Sequence, residues 1–216
     1  MLENLKAKNP GLELYSVESE AFRPYGRVLK DLDTTSILAA AQAIENPESG
    51  ATYVPSQPLF EVLPLAKEIK DRYFGCLPTQ IGYCWGYNDR LNATEWHTSS
   101  EVNIGITPVV LLLAHRWQIA DGKIDASKFK AFYLPKGVAV EVYATSLHFT
   151  PCQVQEGGFG CVVALPEGTN TALETSSADK LLTNKNKWLI CHQENERLIA
   201  RGFVPGITGE NITLHF

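Results

Sequence analysis

The sequence predicts a mainly β fold, an antiparallel barrel or sandwich behind a short mixed α/β N-terminal third with a few helices. Three observations lead there. From Gln80 onward, short runs rich in β-branched and aromatic residues follow one another, separated by Gly, Pro, Asn and Asp. That spacing is the pattern of an all-β sandwich or barrel. No interval between the runs supplies the helix that a parallel β-α-β sheet would need. A length of 216 residues suits one such domain. Folding should bury about 70% of the unfolded chain's surface, so stability needs no covalent staple.

Along the chain, Leu12–Val17 (LELYSV) alternates like a short strand and Gly26–Lys30 (GRVLK) reads as another. Thr34–Glu45 is predicted as a helix, rich in Ala and Leu, capped by Thr-Thr-Ser and stopped by Asn46-Pro47. A second helical pattern covers Leu59–Phe74, with Leu63, Ala66, Ile69, Lys70 and Tyr73 at helical spacing. Pro64 belongs in its first turn, where a missing N–H costs little. The β-rich runs are Ile81–Tyr87, Thr94–Ile104, Val109–Gln118, Lys130–Leu134, Val138–Phe149, Gly160–Leu165 and Trp188–His192. Gly157, Gly158 and Gly160 lack the Lys-Ser/Thr of a phosphate loop and read as a hairpin turn. Pro166–Asn186 is polar and loop-like, either a flap or a surface crossing. The expected organisation is a single domain over 1–216, with 1–79 an N-terminal elaboration and 80–216 the barrel.

Charge and cysteine content narrow the function. The formal net charge is −5, from 19 basic and 24 acidic residues, which argues against a general nucleic-acid binder. The basic clusters Lys128-Phe129-Lys130 and Lys185-Asn186-Lys187 are short and read as solvated surface. The first residues carry Glu3 and Lys6 with no apolar run behind them, unlike a signal peptide. Val109–Ala114, the most apolar stretch, is too short to span a bilayer. Five cysteines, an odd number with no C-x-x-C pair, suggest reduced and mostly buried thiols in a cytoplasm. The expected partner is a small-molecule substrate, with no nucleic acid and no membrane; a homodimer is compatible.

One segment carries chemistry: Glu95-Trp96-His97-Thr98-Ser99-Ser100-Glu101. On an extended chain Glu95 and His97 leave the same face. Thr-Ser-Ser suits a tight corner that returns Glu101 on the next strand. His148, closing the run Val138–Phe149, is the fourth candidate. Two carboxylates and two neutral imidazoles cancel the charge of a divalent cation, and mixed N/O donors suit Zn, Mn, Fe or Ni. A Glu-x-His pair by itself also fits an exposed polar edge strand, and His148 also fits a core histidine with its hydrogen bonds satisfied.

This arrangement resembles the cupin superfamily, whose first motif runs Gly, a short gap, His-x-His and then Glu. Here Gly86 precedes Glu95-x-His97-x-x-x-Glu101, with Glu95 where the first histidine usually stands. The second motif, Pro-x-Gly and then His, is matched by Pro135-Lys136-Gly137 and His148 across a longer gap. The resemblance covers Gly86 to Pro151 and implies a cupin-type antiparallel β-barrel (jelly roll) holding one divalent transition metal on Glu95, His97, Glu101 and His148. Within the superfamily, Glu20–Val28 and Ala131–Pro151 are similar to segments of the ureidoglycolate lyase branch. That branch has Asn and His near Glu141 and Tyr143, and a Trp at Leu147, and this chain departs from it at all three positions. The likeness nominates Glu141 as proton carrier and Tyr143 as the residue that orients substrate. Strict alternation puts both outside the barrel unless a bulge intervenes.

Two functions follow from these residues. One is a metal-dependent lyase or isomerase acting on a small hydroxy-acid or sugar-derived carbonyl compound, within carbohydrate metabolism. The other is a non-catalytic cupin that binds a sugar or sugar acid. No basic helix-turn-helix pattern accompanies the chain, which favours the enzyme over a sensor.

Overall fold

The computed structural model describes all 216 residues. Five short helices are present: α1 (Leu2–Lys8), α2 (Thr35–Ala41), α3 (Pro58–Glu61), α4 (Pro64–Tyr73) and α5 (Glu196–Ala200). The strands of the first half are β1 (Leu14–Ser16), β2 (Gly26–Val28), β3 (Ala51–Val54), β4 (Thr79–Gly86), β5 (Ala93–Trp96), β6 (Glu101–Gly105) and β7 (Val109–His115). Those that follow are β8 (Ile124–Asp125), β9 (Lys130–Leu134), β10 (Ala139–Val142), β11 (Ser146–Leu147), β12 (Cys152–Gln153) and β13 (Phe159–Pro166). The last three are β14 (Leu182–Asn184), β15 (Lys187–His192) and β16 (Val204–Thr208).

Six strands form an antiparallel sheet in the order β2-β10-β6-β13-β4-β3. A second sheet runs β1-β9-β7, with β11 and β12 both pairing β7. A third contains β14-β15-β16-β8, and β5 pairs β15 within it. Against the expectation of no β-α-β crossover, β15 and β16 are parallel with the short α5 between them, and β16–β8 and β1–β9 are parallel as well. The bridge Glu95↔His148 links the second and third sheets. Val140, Val142, Cys84, Phe159 and Cys161 of the six-stranded sheet pack in one core with Val109, Leu111, Leu113, Phe132 and Leu134 of the second. The two sheets therefore face each other, as in a β-sandwich. The outer face of the six-stranded sheet, including Ile81, Val102, Ile104 and Val162, is covered by Ile37, Phe60, Leu65 and Ile69 of the helices. Val110, Leu112 and Ala114 pack on the opposite side of β7 with Leu5, Trp96, Ile190 and Ile207. Burial on both faces is why β7 reads as a continuous apolar run.

The boundaries differ from the periodicity in four places. The helix expected over 59–74 is two, because Pro64 opens α4 and holds Leu63 extended at φ −77, ψ 145. The helix expected over 34–45 ends at Ala41. Thr94–Ile104 is two strands in different sheets, β5 against β15 and β6 against β10 and β13. Val138–Phe149 also divides: β10 joins the six-stranded sheet while β11 pairs β7. α1, α5 and the strands β3, β8, β12, β14 and β16 carry too little periodicity to be read; Val204–Thr208 contains Pro205 and Gly206, which signal a turn. No helix is long and apolar enough to cross a membrane.

Gly26 marks a close approach of β2 to β10. A Cβ there would meet the Glu141 backbone oxygen at 2.2 Å and Phe22 Cζ at 2.8 Å. Gly26→Ala is expected to lower unfolding stability by about 1–3 kcal/mol, as overpacking does. Denaturant titration checks this, and an unchanged midpoint would show that the β2 edge yields without cost.

Candidate metal centre

β5 extends Glu95 and His97 toward the interior, while Trp96 on the other face stacks on Trp188 at 6.4 Å between ring centroids. Glu95 N donates to His148 O at 2.6 Å and His148 N donates to Glu95 O at 3.1 Å. This reciprocal pair seats the His148 side chain beside Glu95. The corner Thr98–Ser100 then carries the chain to the six-stranded sheet, so Glu101 arrives from the facing wall as the first residue of β6. Asn186 pins the corner: its Oδ1 accepts from Thr98 N at 2.9 Å and from Thr98 Oγ1 at 2.6 Å. The expected corner is present, although it crosses between sheets rather than joining neighbours in one.

The four side chains converge. Ligating atoms of Glu95, His97 and His148 all lie within 4.8 Å of one another. Glu101 Oε2 lies 3.2 Å from His148 Nε2 and 3.8 Å from His97 Nε2, and Glu95 Oε1 lies 3.8 Å from His97 Nε2. The two imidazole centroids are 5.2 Å apart. His97, Glu101 and His148 are only 1%, 5% and 7% exposed. His97 Nδ1 bonds Asn186 O at 2.6 Å and His148 Nδ1 bonds Ser146 O at 3.0 Å. A carbonyl can only accept, so each Nδ1 carries hydrogen and each ring, when neutral, turns an Nε2 lone pair to the cluster. His97 Nε2 has no hydrogen-bond partner, and His148 Nε2 faces only Glu101 Oε2. Burial without a partner is costly, and a cation would relieve it.

Electrostatics separate the two histidines. Burial alone would raise the Glu101 carboxyl, but His148, followed by His97, outweighs it and holds Glu101 down to about 2. Burial alone would lower His148, but Glu101 and then Glu95 bring it up to about 9. His97 is pushed down by burial and then by repulsion from His148. Without a metal, the buried group is a carboxylate–imidazolium pair with a neutral imidazole beside it.

Two residues of the cluster Lys185-Asn186-Lys187, expected to be solvated surface, belong to the site. Asn186 orients His97, and the half-buried Lys187 ammonium makes an ion pair with Glu95 Oε2. Leu189 is in register with Glu95, and Lys187 lies two residues earlier on the same face of β15. Extending the alternation of Trp188–His192 by one residue would have flagged it. Beyond the cluster opens a cavity of about 480 Å³, lined by residues that include Tyr53, Asn103, Phe149, Asn170, Asn195, Arg197 and Arg201. Burial pushes the Tyr53 phenol well above its ordinary value, and Tyr53 Oη accepts from Asn170 Nδ2 at 3.1 Å.

Glu141 and Tyr143 do not join this site. Glu141 shares the outer face of β10 with Ala139, which packs under the helices, and it pairs with Arg27 at 2.7 Å. Neither residue lines the cavity. No bulge shifts β10, whose register with β6 is unbroken from Ala139↔Ile104 to Val142↔Glu101, so strict alternation holds. The five cysteines are all free, with Cys76 exposed and the other four buried.

Fold and site together define a mainly β protein of facing sheets with a buried Glu/His cluster opening on a cavity. The chain belongs to the family described as "Domain of unknown function (DUF4867)", which matches residues 14–212. No curated protein matches the sequence. Among solved structures, it is similar to oxalate decarboxylase from Bacillus subtilis, at 9% identity over 57% of this chain and 28% of that one, TM-score 0.34. It is also similar to Fe(II)-HppE with the alternative substrate (S)-1-HPP, at 13% identity over 40% and 41%, TM-score 0.30. A third is the 11S globulin from Wrightia tinctoria, at 9% identity over 68% and 28%, TM-score 0.36. The chain thus spans less than half the length of each of these relatives.

Proposed function

We propose that this chain is a metal-dependent enzyme of the cupin type, a lyase or isomerase acting on a small hydroxy-acid or sugar-derived carbonyl compound. The observation that carries the reading is the convergence of two buried imidazole Nε2 atoms, that of His97 without a hydrogen-bond partner, with Glu95 and Glu101 at one wall of a roomy cavity. Glu95, His97, Glu101 and His148 would hold the metal, and their N/O donors suit Zn, Mn, Fe or Ni. Burial pushes the Cys84 thiol, which also lines the cavity, up to about 12. When bound, the cation supplies Lewis acidity toward a substrate oxygen.

The remaining roles fall to the chain. Lys187, in contact with Glu95 and on the cavity wall, is suited to hold or move a proton at the carbon next to the substrate carbonyl. The Tyr53 phenol stays protonated and can donate to a substrate oxygen. Asn103 and Asn170 offer amides to hydroxyl groups, and Phe149, Leu189 and Phe203 limit water. The likeness of Glu20–Val28 and Ala131–Pro151 to the ureidoglycolate lyase branch supports chemistry on a hydroxy-acid. The test is metal-loaded protein in deuterated water with hydroxy-acids, keto-sugars and ureidoglycolate, followed by NMR. Exchange of the α-proton is expected, and Lys187→Met should slow it about 10²–10⁴-fold while keeping the metal. Tight binding with no exchange or cleavage would replace the enzyme with the sugar-binding alternative.

A further inference from the structure

We propose that the mouth of the cavity is an oxyanion site in which Arg197 and Arg201 take the terminal carboxylate or phosphate of the ligand. Its other end then reaches the Glu95–His97–Glu101–His148 cluster. The inference deepens the function proposed above by naming a substrate class, small hydroxylated acids or phosphate esters, and it rests on that reading for the role of the far end.

Arg197 lies in α5 and Arg201 caps its C-terminal end, and both line the cavity. Arg23, Arg27, Arg72 and Arg90 each have a carboxylate oxygen within 4.0 Å. Arg197 and Arg201 have none, although the chain carries a net charge of −5. The carboxylates that line the same cavity, Glu95 and Glu101, are already matched by Lys187 and His148. Two cations therefore remain uncompensated where a ligand would enter, and a planar guanidinium pairs well with carboxylate or phosphate oxygens.

The placement of α5 is built. Asn195 Oδ1 accepts from Leu198 N at 3.1 Å, and Asn195 Nδ2 donates to Asn92 Oδ1 at 3.1 Å. Asn92 is held in turn by Asn211 Oδ1, which accepts from its backbone N–H at 3.0 Å. Leu198 is buried with Ala93, Leu189 and Cys191, and the Arg201 guanidinium lies 5.3 Å from the Phe203 ring centroid. The helix is fixed against β5 and β15, the strands that carry Glu95, His97 and Lys187 or lead into them. The two ends of the proposed ligand thus meet elements that share one rigid support.

The test is calorimetric titration of the full chain, metal-loaded and metal-free, with glycerol 3-phosphate, glycerate and neutral glycerol. Both acids should bind with a salt-dependent affinity that glycerol lacks, and the tighter one distinguishes phosphate from carboxylate. The double variant Arg197→Ala, Arg201→Ala should weaken acid binding at least about tenfold while leaving metal content unchanged. Lysine at both positions should restore part of the loss. Acid binding that is equal in the double variant, or absent from the unaltered protein, overturns the proposal. A protein that takes up no metal, yet loses acid affinity in the double variant, would reject the metal centre and leave the oxyanion site standing.

Discussion

Purified protein is expected to carry about one divalent transition ion per chain, and His97→Ala or His148→Ala should each weaken metal affinity by at least about 100-fold. Each substitution removes a buried Nε2 aimed into the cluster, that of His97 without a hydrogen-bond partner and that of His148 facing only Glu101, itself a candidate ligand. Both rings are already oriented by carbonyls, Asn186 O and Ser146 O, so the remaining ligands cannot swing to replace one. Uptake at pH 7 should release about one proton, because His148, held up to about 9, must give up its hydrogen to become a ligand. Elemental analysis of protein purified without a histidine tag, and calorimetry in buffers of different ionisation enthalpy, measure both quantities. Full occupancy in both variants would move the centre elsewhere.

A second large effect is expected in the metal-free protein, where the buried Glu101–His148 pair makes stability depend on pH. Glu101 is held down to about 2 from its ordinary 4.5, so its contribution is present above pH 4.5 and lost as pH falls through about 2. His148 is raised to about 9 from 6.5, so its contribution is complete below pH 6.5 and lost as pH rises through about 9. His97, lowered by burial and then by His148, acts in the opposite sense and contributes above 6.5. Melting temperature should therefore fall between pH 6.5 and 9 through His148, a decline that metal saturation abolishes because the ring is then held neutral. Glu101→Ala removes the partner that chiefly keeps His148 charged, so the decline between pH 6.5 and 9 should shrink or vanish in that variant. A flat profile from pH 6.5 to 9 in metal-free protein would deny that His148 is charged there.

The Glu/His cluster was legible because its signals are local. Two-residue spacing on a strand sets a common face for Glu95 and His97, and Thr98–Ser100 has the composition of a corner. The apolar run of β7 and the turn-separated β runs likewise announce the class without reference to distant contacts. The limits appear at Val138–Phe149, which local pattern cannot divide. Its first part pairs β2 and β6, and its second pairs β7. The same division explains why Glu141, two residues from Ala139, faces the helices while His148 reaches the interior.

Local pattern thus carries the mainly β class and the four side chains Glu95, His97, Glu101 and His148 that converge. It does not carry the contact of Asn186 with His97, the pairing of Lys187 with Glu95, the place of Arg197 and Arg201 on the same cavity, or the absence of Glu141 and Tyr143 from it. The physical reason is the range of the interactions. Side-chain alternation is a property of one strand and survives in the sequence, whereas assignment of a strand to a sheet follows from pairing across the chain. Leu189 meets Glu95 from 94 residues away, and that register alone turns a lysine with the look of solvated surface into a partner of the site.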